Sequence, residues 1–137
     1  MGLGSTRITL GNGSVWANNV QVANVALKSQ DTANNYTHIE FDISWDNSWR
    51  TTDAPNNWDA AWVFAKWKLS SGTAWSHCTL STSGTTLPGG STIQVTDHEV
   101  GALVYRDANG PGSNDWDDAR LRWNYGTDGV ADNDTGE

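Results

Sequence analysis

Tryptophans on alternating segments are the feature that most constrains how this chain can fold. Six of its nine tryptophans lie between Trp45 and Trp75. Where this cluster begins, apolar residues alternate with the polar Glu40, Asp42 and Ser44. A period of two is typical of a strand with one buried face. The apolar positions of this strand are Ile39, Phe41, Ile43 and Trp45. Because indoles also fill cores, bind sugars and form interfaces, the pattern predicts a β domain before it predicts a function.

The same alternation recurs along the chain, and helical periodicity does not. We expect strands within residues 6–10, 20–27, 39–45, 61–69, 75–80, 93–95, 101–106 and 119–125, with loops at 31–35, 81–91 and 107–114. The alternation changes phase at Ala23–Asn24, which predicts a β-bulge. Residues 61–69 are apolar on both parities, which favours a central strand or a strand with an ordered loop over its outer face. The predicted fold is all-β, an antiparallel β-sandwich or jelly roll of about seven to eight strands.

Length and charge limit the domain organisation and the partners. We expect residues 1–14 to form an N-terminal arm and residues 15–137 a single β-sandwich domain. The formal net charge is −8 and there is no basic run, which argues against nucleic acid as a partner. No segment approaches the ~20 apolar residues of a membrane span, so membrane insertion is not expected. The frequent Asn, Asp, Gly, Ser and Thr indicate an extracellular or cell-surface location.

Three segments together resemble a known module. They are Phe41–Arg50, Asn56–Phe64 and Leu121–Gly126. In this order they resemble a β-sandwich module of exported bacterial proteins of the Bacteroidetes type, often found upstream of formylglycine-generating-enzyme-like domains. The resemblance runs from about Val15 to Val130. It implies an exported β module with no catalytic role of its own, and the enzyme-like domain is absent from this sequence.

The resemblance also implies that one strand is missing. In similar proteins an apolar strand follows the region matching Leu121–Gly126, whereas residues 127–137 here are acidic and polar. Either the chain is cut short, or a neighbouring molecule supplies the strand. The natural donor is the segment 6–10, with Ile8 and Leu10 inserting into a groove flanked by Trp123 and Tyr125. Head-to-tail donation between copies of the chain would give a filament.

An alternative is a carbohydrate-binding module. Exposed indoles stack on sugar rings, and Trp49, Trp58, Trp75 and Trp116 are expected at strand ends or in loops. The competing interpretation is that these side chains cover the ends of the sandwich or an interface. The structural use of indoles that we expect for Trp62, Trp67 and Trp123 favours the second interpretation.

Other motifs are weaker. Asn12, Asn35 and Asn133 begin Asn-x-Ser/Thr triplets, and Thr32 lies in an Asp-Thr-Ala triplet that resembles an O-glycosylation acceptor of exported bacterial proteins. Calcium is the one candidate cofactor, and its ligands would be the carboxylates of Asp128, Asp132, Asp134 and Glu137. A solvated acidic tail is the favoured interpretation of these residues. The carboxylates Asp115, Asp117 and Asp118 form a second acidic run, for which a solvated surface is also favoured.

Two single residues complete the set. Arg50 is expected to pair with Asp59 and so to hold the Trp49–Trp58 loop. The lone Cys78 is expected to be a half-buried, unreactive thiol.

No phosphate loop, nucleophile elbow or zinc spacing occurs, so we expect no enzyme. The sequence therefore predicts a non-enzymatic, extracellular structural module, a pilus-like fibre subunit joined by β-strand addition.

Overall fold

The computed structural model describes residues 7–10, 13–16 and 18–132, and describes side chains from residue 18 onward. This part of the chain is all-β, with 55% of residues in strands, antiparallel sheets and no closed barrel. It has no helix, and so none that is long and apolar enough to cross a membrane. The predicted all-β class is therefore confirmed.

Eleven strands follow one another in the described ranges. They are β1 (Arg7–Leu10), β2 (Gly13–Trp16), β3 (Gln21–Asp31), β4 (Tyr36–Thr51), β5 (Asn57–Trp58), β6 (Ala61–Val63), β7 (Lys66–Trp67), β8 (Ser76–His77), β9 (Ser91–Val95), β10 (Ala102–Arg106) and β11 (Gly110–Trp123). Four of them have only two or three residues. The expected number of seven to eight strands is thus not confirmed.

The strands form two larger sheets and two hairpins. The first sheet has the order β11-β4-β3, with β5 paired to β4, and the second has the order β6-β10-β9. The hairpins are β1-β2 and β7-β8. Strand β2 includes residues on both sides of the boundary expected between residues 14 and 15, and the division into arm and domain stays a prediction.

The core lies along the inner face of β4. Phe41 and Ile43 are 2% and 1% exposed, and Ile39 and Trp45 are buried beside them, as the alternation predicts. Ala102 and Val104 of β10 and Leu121 of β11 belong to the same cluster. Fully burying a Val, Leu, Ile or Phe side chain of this cluster contributes about 1.5–3 kcal/mol.

The predicted bulge in β3 is confirmed. Pairing of β3 with β4 shifts register between Ala23 and Ala26. Asn24 adopts a left-handed conformation with φ of 51°, and its side chain donates to the Asp42 carboxylate. Asn tolerates this conformation better than most residues because its short side chain hydrogen-bonds locally.

The expected single strand across residues 61–69 is wrong. The segment divides into β6, which pairs with β10, and β7, which pairs with β8. Between them the Ala65 carbonyl accepts a hydrogen bond from the Cys78 amide at 3.0 Å. This bond draws the chain away from β10 and towards the segment that contains β8. Residues 66–67 of β7 pair with residues 76–77 of β8.

The expected loop at 107–114 is also largely wrong, because β11 already begins at Gly110. Gly110 and Pro111 pair with Arg50 and Trp49 of β4. Gly and Pro are tolerated at the start of a strand, where the ladder is incomplete. Two register shifts then separate this first part from the regular pairing that resumes at Ala119.

Candidate strand-binding groove

Strand β3 carries apolar side chains that the described part of the chain does not cover. Leu27 pairs with Ile39 and Val22 with Ile43, so these residues lie on the core-facing side of the sheet. The two partners nevertheless differ in burial, because Ile39 is only 7% exposed whereas Leu27 is 63% exposed. Val25 is 55% exposed, and Val20 and Val22 are each 36% exposed. The core-facing side of β3 is therefore open.

Two adjoining cavities lie along this open side. The larger has a volume of about 620 Å³ and is lined by Val25, Leu27, Trp67, Leu69, Trp123 and Tyr125, among others. The smaller, of about 110 Å³, is lined by Val20, Val22, Phe64 and Leu121, among others. Val25, Ile39 and Ala65 line both cavities. We call this combined feature the apolar groove.

The free edge of β3 borders the groove. All of residues 25–30, on both parities, line the larger cavity, as expected if the backbone edge and not only one face is exposed there. In the described ranges no strand pairs with this edge. Near the end of β11, bridges from Leu80 to Trp123 and from Thr86 to Arg120 contact its outer edge. Within the described ranges the edge of β3 has no such bridge, so its backbone groups are open to a partner.

Trp123 and Tyr125 both line the larger cavity, and their expected role beside a donor strand stays a prediction. They are 7% and 3% exposed and lie with ring centroids 6.0 Å apart. Trp123 Nε1 donates to Asp128 at 2.6 Å, and the Tyr125 hydroxyl donates to Asp132. Asp128 also accepts from the Thr79 amide at 3.0 Å and the Thr79 hydroxyl at 2.6 Å. These bonds fix the aromatic end of the groove.

Cys78 is another lining residue of the larger cavity. It is 1% exposed, so the expectation of a half-buried thiol underestimates its burial. Burial, with a smaller contribution from the Asp128 charge, raises its pKa from 9.0 to about 12. Since the thiolate is the reactive form, the side chain acts as a small apolar residue.

The proposed donor residues lie in β1. This strand pairs antiparallel with β2, and Ile8 is the register partner of Val15. The side chains of Ile8 and Leu10 lie outside the described part of the chain. Their role as donors stays a prediction.

The candidate sugar-binding indoles are exposed, but Trp49 and Trp58 do not face the same side of the sheet. Trp49, Trp58 and Trp75 are 39%, 43% and 51% exposed. Trp58 packs against Tyr105 at a centroid distance of 5.7 Å, and Arg50 lies over both rings at 5.2 and 5.5 Å. Because Trp58 is the register partner of Arg50, Trp49 faces the opposite side of the strand.

The expected position of Trp116 is wrong, whereas the structural use of Trp62 stays a prediction. Trp116 is not at a strand end or in a loop but is 8% exposed within β11, edge-to-face with Trp45 at 5.1 Å. Trp62 is 47% exposed. Its ring lies against Gly101, where an added Cβ would be 2.3 Å from the indole. Outward-facing indoles that lie over a glycine are not distinguishable from core indoles by sequence period alone.

The expected pair between Arg50 and Asp59 is wrong. Arg50 donates instead to the Arg106 carbonyl at 2.9 Å. Asp59 accepts from Trp45 Nε1 at 2.9 Å, the Ser48 hydroxyl at 2.8 Å and the Trp49 amide at 2.9 Å. The register of β4 with β5 sets Arg50 beside Trp58, which directs its side chain towards Tyr105. Asp59 still holds the loop, through donors of β4.

The modification and calcium residues are only partly described. Asn35 and Thr32 are exposed in the turn between β3 and β4, whereas Asn12 and Asn133 lie outside the described ranges. Asp134 and Glu137 also lie outside them. Among the described residues no group of three or more metal-ligating side chains occurs, and the Asp128 carboxylate is already engaged by Thr79 and Trp123. Asp115, Asp117 and Asp118 are exposed on β11. Calcium binding and glycosylation stay predictions.

Comparisons of the chain with protein-family models, curated proteins and solved structures each returned no significant match. The resemblance to the exported bacterial module therefore stays a prediction.

Proposed function

We propose that this chain is a non-enzymatic, extracellular structural module whose copies join by β-strand addition into a surface fibre. In this proposal the two larger sheets pack as a β-sandwich or jelly roll that lacks one strand. The observation that carries it is the open, core-facing side of β3. There Val25 and Leu27 are more than half exposed beside the buried Ile39.

The energetics favour occupation of the groove. Burying a Val or Leu side chain contributes about 1.5–3 kcal/mol, and β3 offers three partly exposed side chains of this kind, Val22, Val25 and Leu27. Long apolar edge strands are also templates for pairing with other chains, and native proteins normally cover them. An occupant that covers both the side chains and the edge therefore stabilises the domain.

The free edge favours an extended peptide over a small apolar ligand. A small ligand fills the cavity but leaves the backbone groups of residues 25–30 without a strand partner. An added strand supplies both backbone hydrogen bonds and alternating side chains. The shape and the chemistry of the groove thus match a strand.

We assign the donor to β1 of a second copy. Ile8 and Leu10 are two residues apart and share a face of this strand, so both enter the groove together. Trp123 and Tyr125 flank them. Because the donor strand and the groove are different surfaces, each copy donates to the next, and the assembly grows as a homopolymer unless it closes into a ring.

Replacing Ile8 by Asp tests this function. A charge on the inserted face opposes burial, so Ile8→Asp is expected to abolish polymers and leave a folded monomer. Thr9→Asp is the matched control, because Thr9 alternates to the other face of β1. Polymer length is measured by sedimentation velocity and negative-stain electron microscopy. Equal polymer length in wild type and Ile8→Asp would overturn the donor assignment.

Carbohydrate binding is a second candidate, favoured by the exposure of Trp49, Trp58 and Trp75. In this proposal Trp58, backed by Tyr105, stacks on a sugar ring. Trp58→Ala should then abolish retention on polysaccharide in affinity electrophoresis while the melting temperature stays unchanged. A large loss of stability with unchanged retention would mark the indole as structural.

A further inference from the structure

The outer face of the β6-β10-β9 sheet carries exposed aromatic side chains. Ala102 and Val104 of β10 are 0% exposed and belong to the core. Leu103 and Tyr105 alternate with them and therefore lie on the outer face. Trp62 of β6 is the register partner of Leu103 and shares this face. Because Trp62 is 47% exposed, much of its indole is open to solvent.

Two aromatic positions are separated along this face. At one end the Trp62 ring lies over Gly101, where only a residue without a side chain leaves room for the indole. At the other end the rings of Trp58 and Tyr105 pack with centroids 5.7 Å apart, and Trp58 is 43% exposed. Gly101 and Tyr105 are four residues apart, so the two positions are about 13 Å apart along β10. An oligosaccharide spans this distance, and a single sugar ring does not.

Polar side chains lie beside the aromatic ones. Gln94 and Thr92 of β9 are the register partners of Leu103 and Tyr105, so their amide and hydroxyl groups lie on the outer face as well. Binding sites for small molecules typically combine aromatic surfaces with a few polar groups that fix orientation. Flat rings suit the apolar faces of sugars, and the polar groups suit their hydroxyls.

A guanidinium group lies at the Trp58 end of this face. Arg50 Cζ is 5.2 Å from the centroid of the Trp58 ring and 5.5 Å from that of Tyr105. Arg50 Nη1 donates to the Arg106 carbonyl at 2.9 Å, which fixes the side chain. Among the described side chains Arg50 has no ion pair, and its other two nitrogens are neither buried nor hydrogen-bonded. These two nitrogens are therefore available to a ligand.

The charges next to Arg50 favour an anionic ligand. The Asp59 carboxylate is bound by donors of β4 and does not pair with Arg50. Asp107, at the end of the face, accepts from the Thr92 hydroxyl at 2.6 Å and also leaves Arg50 unpaired. A guanidinium binds a carboxylate through two parallel hydrogen bonds. The net charge of −8 opposes an anion at long range, but salt screens charges beyond about 8 Å at physiological ionic strength.

We infer that this face binds an acidic polysaccharide, a polymer that contains uronic acids. One sugar ring stacks on Trp58 and pairs its carboxylate with Arg50, and a later ring of the same chain stacks on Trp62. The inference rests on the second candidate function, carbohydrate binding, and assigns it a surface and a chemical class.

Affinity electrophoresis of the full chain at physiological salt tests the chemical class. The acidic probes are polygalacturonate and alginate. The neutral probes are their esters, which keep the backbone and lose the charges, together with xylan and hydroxyethylcellulose. Each run includes Ile8→Asp, because polymers of the chain would bind multivalently and raise retention.

The expected result is an affinity for one of the acids at least about tenfold higher than for its ester, because the ester cannot form the ion pair with Arg50. Equal affinities for acid and ester, or retention by neutral polymers alone, would overturn the acidic class and leave carbohydrate binding intact. Retention by none of the polymers would overturn both.

Charge changes at two positions test the site. Arg50→Gln should lower the affinity for the acid about tenfold and leave that for the ester within about twofold. Gln94 is exposed on the same face and makes no buried contact, so its variants should fold normally. Gln94→Lys should strengthen binding to the acid, and Gln94→Glu should weaken it. Equal affinities of these two variants would overturn the assigned face.

Truncation of the distant indole tests the extent of the site. Trp62→Ala should lower the affinity for the polymer at least about fivefold, because one stacking position is lost. Melting temperatures are recorded for every variant, so that binding is compared only among folded proteins. The comparison is Trp75→Ala, since Trp75 is 51% exposed in the connection between β7 and β8, outside this sheet. A larger effect of Trp75→Ala than of Trp62→Ala would overturn the inference.

Discussion

Two carboxylates, Asp59 and Asp128, organise the loops of this domain by accepting hydrogen bonds from indoles. Asp59 binds Trp45 Nε1, and Asp128 binds Trp123 Nε1. Asp59 also accepts hydrogen bonds from a main-chain amide and a hydroxyl of β4. Asp128 likewise accepts hydrogen bonds from the amide and the hydroxyl of Thr79. Bonds to an ionised acceptor are stronger than neutral ones. Tryptophan therefore serves here as a core side chain and as a donor that fixes loops.

Removing Asp59 should destabilise the domain. Ser48 is 0% exposed, and its hydroxyl donates to this carboxylate, so Asp59→Ala leaves buried donors without a partner. The free energy of unfolding should fall by about 2–4 kcal/mol. The measurement is a urea titration in the Ile8→Asp background. Asp53→Ala, at an exposed loop position, is the control and should change stability by under about 0.5 kcal/mol. Equal effects would contradict the role of Asp59.

The Cys78 thiol should be protected and should make stability depend on alkaline pH. Its folded pKa of about 12 lies above the reference value of 9.0, so the folded state keeps its proton where the unfolded chain has lost it. The contribution is intact below pH 9 and is lost as pH rises from 9 towards 12. Cys78→Ala should remove this part of the pH dependence in urea titrations. Alkylation at pH 8 should be at least tenfold slower in the folded than in the unfolded chain, and equal rates would contradict its burial.

At the scale of elements, β3 and β4 are neighbours with different surroundings. Both alternate apolar and polar residues, and in β4 the alternation correctly predicts burial. In β3 it correctly predicts the bulge and the apolar face, but Leu27 is exposed. Alternation identifies a face that favours burial and does not show what covers it. The alternation in β3 does not predict the open groove, and the missing strand that the resemblance implies stays a prediction.

Local pairing explains the other differences from expectation. Residues 61–69 have a continuous apolar pattern, yet the bond between Ala65 and Cys78 divides them between two sheets. Arg50 and Asp59 have complementary charges, yet the strand register orients Arg50 towards Tyr105. Composition and spacing do not encode such register choices, because a shift of one residue reverses the face of every side chain.

Changing the acceptor strand should block assembly without unfolding the domain. Leu27 is 63% exposed, so Leu27→Asp should alter monomer stability by under about 0.5 kcal/mol while removing an apolar contact of the donor. Polymers should be lost in sedimentation velocity. Val100→Asp, at an apolar position that is 41% exposed and does not line the groove, is the matched control and should polymerise normally. Loss of polymers in both variants would point to non-specific charge repulsion.

At the scale of the whole molecule, the proposed acceptor surface is the apolar groove, which opens onto the hydrophobic core. The groove and the core share lining residues such as Ile39 and Trp123. Occupation should therefore raise the melting temperature as well as link subunits. The net charge of −8 opposes close approach of copies, so assembly should be stronger at moderate salt than at low salt.

The most direct test of the account is the size distribution of the full chain as its concentration rises. Sedimentation velocity and negative-stain electron microscopy would be recorded on the same samples, with Leu27→Asp alongside. The account predicts that wild type grows into filaments with concentration while Leu27→Asp stays monomeric. A wild-type chain that stays monomeric at every concentration and at moderate salt would contradict it.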